Sequence, residues 1–175
     1  KSVSFFQHGY KNYSNFVKDT RKINFDSHFD FGKRVIFKID KNGKYGDLIT
    51  NMVIEVDLPT LADTSGGGTV GYCNGIGNAL IKSVELRIGG NTIDKQYGEF
   101  LNIWYQLVIP DDLRDHGYNS MVGYNSTFYR GALDPTNNPG NATGNSGNRV
   151  IYYVPLAFWF NGVIAQSLPL VALQY

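Results

Sequence analysis

Cysteine, histidine and long apolar runs are scarce in this sequence of 175 residues. Cys73 is the only cysteine, which excludes an internal disulfide and a zinc site built from cysteines. His8, His28 and His116 are far apart, and none has the spacing of a helical metal-binding motif. No stretch is long and apolar enough to cross a bilayer as a helix. These absences exclude a disulfide scaffold and leave little material for metal chemistry.

Two segments carry residues that catalysis or metal binding could use. The densest polar cluster has carboxylates and an imidazole, which can bind a divalent cation: Asp111, Asp112, Asp115 and His116. Its spacing matches no metal-loop pattern, so a solvated turn after a helix is the interpretation we favour. The glycine-rich segment around Cys73 lacks the Lys-Ser or Lys-Thr of a phosphate-binding loop. Cys73 could act as a nucleophile only with a histidine that the fold brings close, and an inert thiol is the interpretation we favour. We therefore predict no catalytic residue, no metal site and no cofactor.

Charge is distributed unevenly along a chain whose net charge is only +1. The first 44 residues contain ten Lys or Arg against four Asp, and the remainder contains six against eleven acidic residues. A basic first quarter is typical of an arm that faces an anionic partner, such as a membrane or a nucleic acid. The basic residues are scattered rather than grouped, so a solvated surface is the alternative.

Tyrosine, phenylalanine and glycine are abundant, as in proteins with many strands and tight turns. Polar and apolar residues alternate in the way that predicts strands, near Val35–Ile39, Asn51–Leu58, Leu80–Ile88 and Val150–Phe160. Gly89 and Gly90 predict a hairpin turn, because glycine tolerates the positive φ of such turns. The last of these strands is apolar on both faces around Phe158–Phe160 and is expected to be covered on both sides, with a bulge or an edge at Pro155.

One helix is predicted near Gly98–Ile109, because apolar residues there recur at intervals of three and four, and Pro110 ends it before a polar loop. We expect Trp104, Phe158 and Phe160 to be mostly buried, whereas Trp159 is a candidate for contact with a neighbouring subunit. Two long projecting loops are predicted at residues 62–78 and 131–148, which are rich in Gly, Asn, Thr and Ser. This organisation favours a sandwich or jelly roll over alternating strands and helices.

Three Asn-x-Ser/Thr sequons are candidate glycosylation sites: Asn12, Asn125 and Asn141. Asn141 is the best candidate because it lies in the most loop-like segment of the chain. The motif is short and arises by chance in a chain rich in asparagine, so unmodified side chains are the alternative.

Four stretches resemble the major capsid proteins of nucleocytoplasmic large DNA viruses. They are Tyr10–Phe16, Lys44–Ile49 with the Leu-Pro that follows it, Leu80–Gly90 and Val154–Tyr175. The last is the most specific, because it holds both a Phe-Trp-Phe and a Leu-Pro-Leu block. The resemblance covers nearly the whole chain in the family's order. One departure is that residues 161–167 lack the Arg-Asn-Pro-Gly character common there, which puts any contact made by that arginine in doubt.

The resemblance implies an all-β fold: an antiparallel, eight-stranded jelly-roll sandwich with one inserted helix, the first of two in the family. A basic arm at residues 1–33 would lead into the jelly roll at 34–175, truncated at its last strand. The implied function is that of a structural shell subunit and not of an enzyme. Three copies would form a pseudo-hexagonal capsomer in the capsid shell of an icosahedral virion, assembled in the host cytoplasm. Implied partners are the homotrimer itself, neighbouring capsomers, minor capsid proteins and an inner viral membrane, with no specific nucleic acid.

The resemblance also places the N-terminal segment toward the inside of the shell. Six basic residues would then face an anionic or acidic inner layer: Lys11, Lys18, Arg21, Lys22, Lys33 and Arg34. The alternative is that these side chains only solubilise the base of the domain.

Two other functions are compatible with a jelly roll. A carbohydrate-binding module on a virion or cell surface would use exposed Tyr and Trp side chains to stack on sugar rings. An enzyme of the cupin type would need clustered His and Glu ligands, and the dispersed histidines argue against it.

Overall fold

A computed structural model describes residues 15–25, 30–39, 45–59, 69–70, 72–124, 142–143 and 150–173. The chain divides into two compact units, residues 1–45 and 46–175. The boundary at residue 33 that we predicted between arm and jelly roll stays a prediction. No helix in the described part is long and apolar enough to span a membrane.

The described residues of the first unit form neither a helix nor a strand. Val35, Phe37 and Ile39 are half-buried while Ile36 and Lys38 are exposed, so the alternation seen in the sequence is real. A strand also requires a neighbour with which to form hydrogen bonds, and this segment is not part of any described sheet. The strand predicted near Val35–Ile39 is therefore wrong.

The described part of the second unit contains eight strand segments, all in antiparallel pairs. They are β1 (Leu48–Ile49), β2 (Val53–Leu58), β3 (Thr69–Val70), β4 (Ser83–Ile88), β5 (Asn91–Tyr97), β6 (Ala142–Thr143), β7 (Val150–Pro155) and β8 (Leu168–Pro169). The pairs are nested, since β1 pairs with β8, β2 with β7, β3 with β6 and β4 with β5. The second unit is thus folded like one long antiparallel hairpin whose outermost strands also pair.

The pair β2–β7 confirms the strand predicted over Asn51–Leu58. Its inner face carries apolar residues from both strands, with Ile54 opposite Val154 and Val56 opposite Tyr152. Val53, Asp57, Ile151 and Tyr153 are exposed on the outer face. Alternation with a period of two places one face of the pair in the core.

The hairpin β4–β5 also confirms its prediction. Gly89 and Gly90 form the two-residue turn, with φ angles of 57° and 86°. These are left-handed values, which glycine adopts without a steric penalty.

Helical structure is more extensive than we predicted. Helix α1 is Ile76–Ala79 and α2 is Gly98–Val108, which confirms the helix predicted from periodicity. A second helical segment follows in place of the predicted polar loop, consisting of α3 (Asp111–Leu113), a π-helical turn (Arg114–Tyr118) and α4 (Asn119–Val122). Pro110 ends α2 but also precedes a first turn with two aspartates, which stabilise a helix N-terminus.

The prediction of a projecting loop at residues 62–78 is wrong for the part that the structure describes. Strand β3 lies within it, and Ile76, Gly77 and Asn78 of α1 are buried. A glycine-rich composition does not prevent burial here, because a Cβ at Gly77 would lie 2.8 Å from a methyl carbon of Val154. Of the loop predicted at 131–148, the structure describes only β6, so its projection from the scaffold stays a prediction.

The strand predicted over Val150–Phe160 ends at Pro155, and Trp159–Asn161 forms a 3-10 turn instead. After Pro155, which lacks an N–H group, the Leu156 N–H still donates a hydrogen bond of 3.1 Å to the Met52 carbonyl oxygen, and the chain then turns. Phe158 and Phe160 are buried as predicted, while Trp159 is 42% exposed, so this segment is not covered on both sides.

The core lies beneath these strands in three neighbouring groups of buried side chains. The largest combines Leu101 of α2 with Leu156, Phe158, Phe160 and Leu168. A second contains Leu58, Ile76 and Tyr152, and a third contains Tyr118, Val122 and Val154. One face of helix α2 is therefore packed against the largest of these groups through Leu101.

Candidate functional site

Two carboxylates of the polar cluster that we considered for metal binding form ion pairs instead. The Arg114 guanidinium contacts the carboxylates of Asp111 and Asp115. Among residues whose side chains the structure describes, no three His, Cys, Asp or Glu lie close enough together to hold a metal ion. Cys73 is a free, exposed thiol. His8 and His28 lie outside the described residues.

The remaining candidate is the surface of α2, which has two different faces. On the inner face, Leu101 is buried and the Tyr105 hydroxyl donates a hydrogen bond of 3.0 Å to the carbonyl oxygen of Leu156. A Cβ at Gly98 would lie 2.2 Å from the carbonyl oxygens of Asn78 and Ile81. Only glycine permits so close an approach to the α1 region, and the helix is consequently fixed at its N-terminus.

A buried polar contact joins three helical elements behind this inner face. The Asn78 side-chain amide of α1 donates a hydrogen bond of 2.7 Å to the Tyr118 hydroxyl. The ring of Tyr118 packs on that of Tyr105, with 4.7 Å between centroids. Burial raises the pKa of Tyr105 to about 12 and also raises the pKa of Tyr118. Both side chains hold α2 in place by hydrogen bonding and packing.

The outer face of α2 carries large apolar side chains that are exposed among the described residues. We call Phe100, Ile103, Trp104 and Leu107 the outer stripe. Their exposed fractions are 44%, 58%, 44% and 80%, respectively. Phe100 and Trp104 stack with 5.9 Å between ring centroids. Because intervals of three and four residues place side chains on one helix face, the stripe is continuous.

Trp104 was predicted to be mostly buried, and this prediction is wrong. It is three residues from Leu101 and also three from Leu107, so its spacing fits either face of α2. The core accepts Leu101 and Tyr105, and Trp104 lies at the boundary with its ring stacked outward on Phe100.

A large exposed apolar surface is typical of places where a protein binds another protein, a membrane or a ligand. Neither charge nor a nucleophile belongs to the outer stripe, so its chemistry is that of packing. In the sequence, the residues of the outer stripe already form a second series of apolar positions at intervals of three and four. We did not recognise this series as a site.

The basic residues predicted to face an inner layer lie in the first unit, and those described are exposed: Lys18, Arg21, Lys22, Lys33 and Arg34. The Arg21 guanidinium pairs with the Asp19 carboxylate at 2.7 Å, and the Lys33 ammonium pairs with Asp30 at 3.2 Å. Lys11 and the sequon residues Asn12, Asn125 and Asn141 lie outside the described residues.

Comparison with known proteins identifies relatives along the whole chain. The family model described as "Major capsid protein N-terminus" matches residues 4–175. The major capsid protein of Phaeocystis pouchetii virus is 33% identical over 188 residues, which cover 99% of this chain and 35% of that protein. The major capsid protein of Paramecium bursaria Chlorella virus 1 is 34% identical, over 99% of this chain and 34% of that protein.

A solved structure shares the fold. The crystal structure of PBCV-1 VP54, fitted into a reconstruction of the virophage Sputnik, matches with a TM-score of 0.68 and 32% identity. The match covers 98% of this chain and 35% of that chain. This chain thus spans about a third of the length of the relatives that it matches. The resemblance inferred from the sequence is confirmed, and the chain belongs to the family of viral major capsid proteins, whose N-terminal part it matches.

Proposed function

We propose that this chain forms the first jelly roll of a structural subunit of an icosahedral virus shell. The observation that carries the proposal is the nested antiparallel pairing of the eight described strands, in a chain that the N-terminal capsid family matches over residues 4–175. Outer strands that pair around inner ones are what an eight-stranded jelly roll requires, because that fold is a long hairpin rolled into two sheets. The proposed sandwich therefore has eight strands.

The proposed role is structural and not enzymatic. A shell subunit needs a rigid scaffold and surfaces that pack on other subunits. The paired strands and the fixed helix α2 supply the scaffold, and the outer stripe supplies an apolar surface. The relatives are capsid proteins by name, and nothing in the comparisons supports a carbohydrate-binding module.

We further propose that three copies of the protein form a trimeric, pseudo-hexagonal capsomer that packs against neighbouring capsomers and minor capsid proteins of the virion, after assembly in the host cytoplasm. The test uses the protein at its full natural length, with light scattering for mass and electron microscopy for shape. We expect trimers with a pseudo-hexagonal outline. A stable monomer at micromolar concentration, without hexagonal particles, would contradict the proposal.

The basic first unit is proposed to face an anionic inner layer, such as the viral membrane, through Lys11, Lys18, Arg21, Lys22, Lys33 and Arg34. The ion pairs of Arg21 and Lys33 do not prevent this, because exposed pairs contribute only about 0–1 kcal/mol and exchange readily with other anions. A basic side chain near an anionic lipid surface contributes roughly 1 kcal/mol. The attraction is also screened by salt.

A charge-swap pair tests this role. The variant Lys18→Glu with Lys22→Glu is compared with Lys82→Glu and Arg87→Glu, which change the charge equally in the second unit. We expect only the first to weaken flotation with vesicles containing phosphatidylserine and to reduce the salt dependence of binding. If both variants bind the vesicles equally well, the basic side chains of the first unit only make the protein soluble.

The sequons at Asn12, Asn125 and Asn141 are proposed glycan acceptors. Mass spectrometry of peptides from the virion protein, before and after glycosidase treatment, shows separately for each of the three asparagines whether a glycan is attached. Unmodified peptides at all three positions would end the proposal.

A further inference from the structure

We propose that Asn161 is a site of spontaneous deamidation, a covalent modification that breaks the contacts of its side chain with the backbone after β7. The inference does not depend on the shell function, because it concerns the chemistry of one short segment. The sequence contains three Asn-Gly pairs, and the structure describes two of them, Asn74–Gly75 and Asn161–Gly162. These two pairs differ in the features that control the reaction.

The modification of an asparagine that precedes glycine needs no enzyme. The backbone nitrogen of the glycine loses its proton and attacks Cγ of the asparagine side chain. The side-chain nitrogen leaves as ammonia, and a cyclic succinimide remains. Water then opens the ring at one of its two carbonyl groups, which yields aspartate or isoaspartate, so water is the one co-reactant and nothing is oxidised or reduced. Glycine favours ring closure because it has no Cβ to obstruct the approach.

The attacking nitrogen is bound in one described pair and open in the other. The Gly75 N–H donates a hydrogen bond of 3.0 Å to the Gly123 carbonyl oxygen. Gly162 is exposed, a Cβ added to it would meet no atom within 4 Å, and its N–H forms no hydrogen bond with any described residue. An N–H group in water loses its proton more readily than one that is bound to a carbonyl oxygen. Asn161 is therefore expected to react faster than Asn74.

The segment that follows Asn161 has few contacts to hold it. Residues 162–166 are exposed at every position. The backbone hydrogen bonds within this segment are short-range, from Gln166 to Val163 and from Ser167 to Ile164. Segments with few buried contacts open locally at little cost in free energy. The backbone at Gly162 can consequently reach the conformation that ring closure requires.

The side chain of Asn161 is itself part of a group of hydrogen bonds. Its amide nitrogen donates to the carbonyl oxygen of Leu156 and, at 3.4 Å, to that of Met52. The Leu156 carbonyl oxygen also accepts the Tyr105 hydroxyl, and the Leu156 N–H donates to Met52. We call these four residues the polar junction. Since its bonds restrain the amide, we expect a slow reaction that proceeds when the amide turns away from its acceptors.

Deamidation exchanges the donor of the polar junction for an acceptor. The product carboxylate has no hydrogen to donate to the carbonyl oxygens of Leu156 and Met52. The Asn161 Oδ1 is already buried and has no hydrogen-bond partner among the described residues. A buried charge without donors is unfavourable, so the modified residue leaves the junction. Phe160, whose side chain is fully buried, is then expected to lose part of its packing.

The first test measures the reaction in the protein at its full natural length. The protein is incubated at physiological temperature in mildly alkaline buffer made with water enriched in heavy oxygen, and its peptides are analysed by mass spectrometry. Heavy oxygen enters the product only when water opens the ring during the incubation. We expect the label at position 161 to exceed that at position 74 severalfold. Label at Asn74 with none at Asn161 would overturn the proposal.

A glycine variant tests the role of the attacking nitrogen. Gly162→Ala adds a methyl group in open space, so the fold is kept while ring closure is hindered. We expect severalfold less label at Asn161. Gly117→Ala is the matched control, because its added Cβ also meets no atom within 4 Å, and it should label like the wild type. Equal labelling of Asn161 in all three proteins would contradict the mechanism.

The consequence of the modification is tested with Asn161→Asp, which carries the product side chain. In a Trp104→Phe background, Trp159 is the one remaining tryptophan and lies two residues away. We expect a lower melting temperature and a shift of the Trp159 emission to longer wavelength. Asn91→Asp makes the same chemical change at an exposed position in β5 and should alter neither.

The remaining outcomes also have a defined meaning. A melting temperature and an emission equal to those of the parent would show that the polar junction tolerates the carboxylate, and the proposed consequence would be wrong. If Asn161→Asp does not fold, wild-type samples taken during the incubation replace it. Their melting temperature should then fall as the labelled fraction at position 161 grows, and a constant value would overturn the inference.

Discussion

Two segments of this protein are equally rich in large apolar side chains and have opposite relations to water. In residues 156–160, Leu156, Phe158 and Phe160 are almost fully buried. In the outer stripe of α2, four large side chains are 44–80% exposed. The first segment packs with Leu101 of α2 in the largest core cluster, whereas no side chain of the outer stripe belongs to the described core clusters. Apolar character alone therefore does not determine burial, and the packing of the backbone determines which apolar side chains the domain covers.

The largest expected effect comes from removing a ring on the buried side of this comparison. Phe160→Ala should lower the free energy of unfolding by about 3–5 kcal/mol, because it leaves a cavity in the core. Trp159→Ala, at the adjacent but half-exposed position, is the control and should cost far less. Urea unfolding followed by circular dichroism measures both. Equal losses would mean that the two rings have the same surroundings, contrary to the structure.

A smaller effect is expected where α2 touches the α1 region. Gly98→Ala forces a Cβ against two carbonyl oxygens and should cost roughly 1–3 kcal/mol, as overpacking does. Gly162→Ala is the matched control, since no atom lies within 4 Å of its added Cβ and its φ of −92° is ordinary. If both variants melt like the wild type, the inner face of α2 is not held as tightly as described.

The inner face should also respond to alkaline pH. The pKa of Tyr105 is raised from 10.0 to about 12 by burial, so its stabilising effect is complete below pH 10 and is lost as pH rises toward 12. The sign follows because the unfolded chain releases the tyrosine proton first, which favours unfolding. Thermal melting across this range should show a steeper decline for the wild type than for Tyr105→Phe. Parallel curves for the two proteins would contradict the assignment.

The smallest effect on stability is expected in the outer stripe. Leu107→Ala should change the free energy of unfolding by less than about 0.5 kcal/mol, as surface substitutions do. Its aggregation in dilute buffer, followed by light scattering, should nevertheless decrease. A loss as large as that of Phe160→Ala would place Leu107 in the core and remove the contrast between the two segments.

The sequence correctly predicted the elements whose conformation is determined by residues close to one another in the chain. The glycines of the β4–β5 turn, the alternation in β2 and the apolar period of α2 each specify a conformation within a few residues. The wrong predictions concern segments whose conformation depends on residues that are distant in the sequence. Phe158–Phe160 has the composition of a strand, yet β7 ends at Pro155 and Trp159–Asn161 forms a 3-10 turn. The Val35–Ile39 segment alternates in burial but has no partner strand in any described sheet.

The candidate site was harder to predict for the same reason. Trp104 belongs to two overlapping apolar series, and only the packing of Leu101 and Tyr105 reveals which series is buried. The helical segment after Pro110 had a readable signal in its two aspartates, which we interpreted as a loop. The basic residues of the first unit were visible in the sequence, and their proposed role depends on a layer outside the chain.

The nested strand pairing has a consequence for how the chain folds. The β4–β5 hairpin joins residues close in sequence and can form within microseconds. The β1–β8 pair joins Leu48 to Pro169 and must first close a loop that spans most of the second unit. The free-energy cost of closing a loop increases with its length, by about 0.6 kcal/mol for each doubling of the number of residues. Pairing should thus proceed from the innermost hairpin outward, and during synthesis β1 has no partner until β8 has left the ribosome. Among the described strands, β1 is therefore the one that waits longest for its partner.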